Sequence, residues 1–161
     1  MPGTHLIPGF FGKLPTSGDF VTRRLPPGFV RAWDRWCVRH IVPRLDRAWP
    51  ACGLRFLHPG PVTGLLVPSA DRAGRRFPLT LAAAAPLQAA AWYDALARLA
   101  ARAAALAPDA LETALVAHPA AGDSAAPVRL RLWSDGAPLE ADPETPAAAL
   151  DALLPERAEV G

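Results

Sequence analysis

The chain has 161 residues, 51% of them hydrophobic and 20% charged, which is the size of one domain and excludes a disordered tail. Its net charge of +2 conceals a division: residues 1–81 carry twelve basic against four acidic residues (+8), and residues 82–161 five against eleven (−6). That division either steers an acidic partner toward one surface or is satisfied by attraction inside the fold.

In chain order, His5-Leu6-Ile7 reads as a short strand broken by Pro8, followed by a glycine-flanked aromatic pair (Gly9 to Gly12) entering a loop. Leu14 to Asp19 is a turn by composition, with Pro15 presetting φ and Gly18 able to take positive φ. Pro26-Pro27 announces a helix with apolar positions at Phe29, Trp33, Trp36, Cys37, His40 and Ile41, one face of a 3.6-residue period. Arg31, Arg35 and Arg39 recur at spacing four on another face, with Asp34 one turn from Arg31. Pro43 ends or kinks that helix. Leu54–Leu57 and Val62–Val67 are two strands joined by the turn His58-Pro59-Gly60-Pro61, and Phe77–Leu81 is a third strand after a polar loop, 68–76.

Beyond Pro86 alanine dominates. Trp92, Leu96, Leu99, Ala103 and Leu106 mark a long amphipathic helix, and Asp109 is placed to cap a shorter one carrying Leu111 and Leu115. Val128–Leu132 alternates as a strand, Pro146–Leu154 forms a terminal helix, and 119–127 and 138–146 read as loops. Strands on either side of helices imply an α/β or α+β sheet covered by helices. No apolar run approaches about 18 residues, so no membrane span is expected. The first residues, Met1 to His5, show no basic stretch leading into an apolar one, so no secretory leader is expected. Two cysteines do not make a disulfide framework, and the expected location is the cytoplasm.

Gly9-Phe10-Phe11-Gly12-Lys13-Leu14 has two residues between its glycines where a phosphate-binding loop needs four, and Leu14 stands where that loop needs a magnesium-binding hydroxyl. Cys37, His40, Cys52 and His58 hold the inventory of a tetrahedral zinc site, but Cys37 and His40 fall on the apolar stripe and read as core. No cofactor or metal is expected. Ser69 lacks a nucleophile elbow. Asp19 and Asp71 lie in two polar loops where ion pairs to Arg23, Arg72 or Arg75 are the common fate of aspartates. Arginines interleaved with aromatics in 20–56 are a weak case for nucleic acid, given the acidic second half.

Two segments go beyond generic patterning. One runs Gly9-Phe10-Phe11-Gly12-Lys13-Leu14-Pro15, then Gly18-Asp19-Phe20-Val21, Arg23, Leu25-Pro26 and on to Trp33-Asp34 and Trp36; the other is Pro68-Ser69, Asp71-Arg72, Gly74-Arg75 and Phe77-Pro78-Leu79-Thr80. In order and spacing they resemble the TagF/ImpM family of accessory proteins of bacterial type VI secretion systems, over about residues 5–85. The resemblance implies a three-layer α/β/α sandwich with a mixed or mostly antiparallel sheet, in a single domain over 1–161. It also implies no catalytic activity and a cytoplasmic role as a post-translational repressor of secretion-apparatus assembly, acting through a forkhead-associated scaffold protein. Under that reading Lys13, Asp19, Arg23, Arg24, Ser69, Asp71, Arg72 and Arg75 are the partner-binding candidates, with neither nucleic acid nor membrane insertion involved. The alternatives are a hydrolase or phosphatase-like enzyme using Asp19, Asp71 and Ser69, and a structural part of the apparatus.

Overall fold

The computed structural model describes residues 5–122 and 127–158. Residues 1–4, on which the leader expectation rests, and part of the 119–127 loop lie outside the described residues. The strands are β1 (His5–Leu6), β2 (Gly9–Gly12), β3 (Val21–Arg23), β4 (Leu54–His58), β5 (Val62–Val67), β6 (Leu79–Ala83), β7 (Ala120–Ala121), β8 (Leu130–Trp133) and β9 (Leu139–Ala141). Seven of them form one sheet in the order β3-β2-β6-β5-β4-β8-β9, while β1 pairs with β7 separately. Every pairing is antiparallel. The helices are α1 (Pro27–Trp36), α2 (Ala90–Arg102), α3 (Pro108–Leu115) and α4 (Ala147–Leu153). This is an α/β fold.

The segment expected to enter a loop, Gly9 to Gly12, is instead an interior strand, with β3 on one side and β6 on the other. All four of its residues are buried, so it lacks the polar alternation by which half-buried strands are recognised. Its glycines are there because neighbouring backbone comes too close for a side chain. A Cβ on Gly9 would stand 1.9 Å from the Arg23 carbonyl oxygen, and one on Gly12, at φ +139°, 2.2 Å from that of Pro78. The expected strand Phe77–Leu81 begins two residues later, because Pro78 has no N–H to donate to a ladder. β3 and β9 carried too short a pattern to be read; β9 lies inside the expected loop 138–146.

The helix after Pro26-Pro27 forms as expected, with Pro27 at its first position. Its buried positions are Phe29, Trp33, Cys37 and Ile41. A constant spacing of four drifts by about 40° per step on an ordinary helix. The chain corrects the drift by continuing as a π-helical turn over Cys37–Ile41, in which the Val42 N–H reaches back five residues to the Cys37 carbonyl. Cys37 therefore packs in the core, where burial and then the nearby Asp34 carboxylate push its thiol well up. His40, expected beside it, is displaced toward the surface. Asp109 does not cap α3: Ala107 holds that position, Pro108 starts the helix, and Asp109 lies in its first turn.

The apolar residues gather into two main clusters. Phe11, Phe29, Trp33, Phe56, Leu132 and Leu150 belong to the first, with α1 and α4. Phe10, Leu65, Leu81, Leu96, Leu99 and Leu111 belong to the second, with α2 and α3. Phe10 and Phe11 are adjacent in β2 yet fall in different clusters, as side chains on opposite faces of a strand must. The buried Trp33 indole N–H donates to Thr80 Oγ1 at 2.9 Å, tying α1 to β6 across the first cluster.

Candidate functional site

The two motif-bearing loops, 56 residues apart in sequence at Lys13 and Ser69, are fastened together. The Arg72 backbone N–H donates to Ser17 O at 2.8 Å. The guanidinium of Arg72 donates to Thr16 O at 2.7 Å, that of Arg75 to Gly18 O at 2.9 Å, and the Ser69 hydroxyl to Lys13 O at 2.7 Å. Below them Phe11 stacks on Phe20 at 6.0 Å, and both meet Phe77 near edge-on. Phe20, half-exposed, carries the Lys13 ammonium over its ring at 4.9 Å.

Asp71 is the hub of the pair. It is buried, with 3% of its surface exposed. Its Oδ1 accepts the backbone N–H groups of Ala73 (3.0 Å) and Arg75 (2.9 Å); its Oδ2 takes Arg75 Nε at 2.7 Å and lies 3.5 Å from Lys13 Nζ. Three hydrogen bonds and one ion pair commit this carboxylate to the loop itself. Burial alone would raise this carboxyl, but the Arg75 hydrogen bonds and the charges of Arg75 and Lys13 outweigh it and hold the group below the usual carboxylate range. Gly74, at φ +84°, completes the turn inside this loop. The backbone of Gly18, able to take positive φ, does not adopt it.

The remaining candidates sit apart from the hub. Arg23 reaches α3, with Nε 3.1 Å from Glu112 and Nη2 3.2 Å from Asp109. Arg24, at the left-handed φ of 57°, also pairs with Glu112, at 3.4 Å. Asp19 is exposed and contacts Ser17 through its backbone. Lys13, one of the partner-binding candidates, turns its charge inward to Asp71. For hydrolysis the arrangement is unhelpful: Ser69 gives its hydroxyl proton to a carbonyl, which cannot act as a base.

A second feature was legible only in part. The spacing of Arg31, Arg35 and Arg39 was visible, but not that a cleft opens beside Arg35 and Arg39. Two adjoining concavities of about 330 and 370 Å³ meet at Ala32 and His58. Arg35, Trp36, Arg39, His40 and Glu144 line the first, and Pro26, Phe29, Pro61 and Val62 the second. His58, at the end of β4, stands edge-on to Phe29 and Trp33, and its Nδ1 accepts the Gly60 N–H at 3.1 Å. Burial lowers its pKa, which favours the neutral ring. Burial also lowers that of His40, helped by Arg39 and Arg44 and opposed by Glu144. Trp36 stacks on Trp33 at 4.6 Å and donates its indole N–H to Pro143 O, which holds the loop before α4 against α1 as one wall of the cleft. No signal in any one segment shows a cleft built from three.

Among the described residues no helix is long and apolar enough to cross a membrane. A comparison with curated proteins finds no match. Among solved structures, the Pseudomonas aeruginosa PAO1 protein PA0076 is similar, at 31% identity and a TM-score of 0.57, with 91% of this chain and 76% of that one covered. Residues 9–122 match the family model described as the TagF N-terminal domain, type VI secretion system-associated. That match takes in both fastened loops and the strands and helices that carry them, and the chain belongs to the TagF family of type VI secretion-associated proteins.

Proposed function

We propose that this protein is a non-enzymatic regulator that restrains assembly of the type VI secretion apparatus by binding its cytoplasmic forkhead-associated scaffold protein. One observation carries the reading: the family motifs are spent on building a fixed loop pair, with Asp71 and Ser69 committed to internal hydrogen bonds. A pair of loops so fastened presents a preformed surface at little entropic cost on binding, as an interaction module requires. The three-layer α/β/α arrangement belongs to the same reading, and the division of Phe10 and Phe11 between two apolar clusters supports it.

Pull-down with the tagged full chain from lysate tests the proposal. Enrichment of the scaffold, with increased secretion when the gene is deleted, is the expected result. No enrichment and unchanged secretion overturn it. Turnover of ester or phosphate substrates that Asp71→Asn abolishes without unfolding the protein would establish the enzymatic alternative instead.

A further inference from the structure

The charge division between the halves of the chain is largely settled inside the fold. Arg23 and Arg24 pair with α3, Arg44 and Arg47 with Asp151, and Arg55 with Asp94 at 2.6 Å. Arg31, Arg35 and Arg39 are the exception: all three are exposed, among the described residues none makes an ion pair or side-chain hydrogen bond, and Arg35 and Arg39 line the first concavity. Arg35 and Arg39 lie about 6 Å apart along the helix, the length of about two residues of extended chain. Like charges at this spacing repel one another by a few tenths of a kcal/mol per pair. Glu144 on the same concavity offsets this in part, and two guanidinium groups against one carboxylate leave an excess of positive charge matched to an anionic occupant.

We propose that the cleft along α1 binds a short acidic peptide segment of a partner protein, its carboxylates on Arg35 and Arg39 and an apolar side chain beside them on the floor formed by Phe29, Pro61 and Val62. The two halves of the cleft differ in the way such a segment does. One half offers guanidinium groups, which hold carboxylates in paired hydrogen bonds; the other is apolar. A nucleic-acid backbone fits less well, because the apolar half supplies no cation for successive phosphates. His58 sits where the halves meet; with Nδ1 held by Gly60, its Nε2 is the ring's one polar atom not engaged by Gly60. The inference goes beyond the scaffold-binding reading, which rests on the loop pair, by naming a second surface for an acidic segment, and its test uses a synthetic probe, so either can fail without the other.

The probe is a short fluorescent peptide of glutamates around a central leucine, titrated with the full chain by anisotropy. Saturable binding that weakens with salt is expected, with about a tenfold or greater loss for the double variant Arg35→Ala, Arg39→Ala. Arg98 and Arg102 on α2 are exposed, make no ion pair among the described residues and line neither concavity, so Arg98→Ala with Arg102→Ala is the matched control and should bind as the parent does. Replacing the central leucine with serine should weaken binding while the charge stays fixed. Absence of saturable binding overturns the proposal, and so does an equal loss in the control pair, which would make net charge the cause. Tighter binding of a single-stranded oligonucleotide at the same residues would reassign the cleft to nucleic acid. Self-association in sedimentation that the Arg35 and Arg39 substitutions abolish would reassign it to a second copy of this chain. Circular dichroism confirms that each variant is folded.

Discussion

The loop pair and the α1 cleft use the same residue type in opposite ways. In the loop pair, arginines are construction material: Arg72 and Arg75 reach across to the carbonyls of Thr16 and Gly18, and Asp71 is enclosed by donors. Along α1, arginines of the same charge are left with water around them and a cavity at their side. In the first region the motif's charged residues are spent on the loops; in the second the motif supplies Pro26 and Trp36 as walls, and the free charge belongs to arginines outside it. A recognisable sequence signature thus marks where the backbone is hardest to build, which need not be where a partner is gripped.

That contrast makes separable predictions for stability and binding. Gly12→Val should cause the largest loss, about 3 kcal/mol or more in urea denaturation, since a Cβ would meet Pro78 O at 2.2 Å in a conformation glycine favours. Asp71→Asn should come next, lowering the thermal midpoint at pH 7 because an amide keeps the shape but not the charge that Arg75 and Lys13 face. The pH dependence has a fixed sign. The folded carboxyl titrates below its unfolded value of about 4, so its contribution is complete above that value and is lost as pH falls through the lower folded one. The difference between parent and Asp71→Asn in a thermal-melt series should therefore be widest near neutrality and close at acid pH. A difference that instead grows on acidification would show that Asp71 is not the hub.

Arg72→Ala should have a smaller effect, about 0.5–1 kcal/mol by urea titration, since its side chain supplies one exposed hydrogen bond to Thr16 while the backbone bond to Ser17 remains. Smallest of all, Arg35→Ala with Arg39→Ala should shift stability by no more than about 0.5 kcal/mol, although it removes probe binding. Stability losses at the cleft comparable to those at Asp71 would erase the contrast.

Much of this protein was written in short stretches of sequence. The stripe Phe29, Trp33, Cys37 and Ile41, the hairpin from β4 to β5, the alanine-rich α2 and the two glycine-punctuated segments all show in residue type and spacing, because helix period, turn chemistry and burial act over a few neighbouring residues. Those segments also carried the family resemblance that the match over 9–122 bears out. What tertiary structure decided was everything that depends on distant backbone. It made Gly9–Gly12 an interior strand, through the closeness of Arg23 and Pro78. It turned Lys13 inward to Asp71, and sent Arg23 and Arg24 to α3 while leaving Arg35 and Arg39 free beside a cleft. A charged side chain's role is fixed by which opposite charge or cavity the fold brings within a few ångströms of it, and no local pattern encodes that distance.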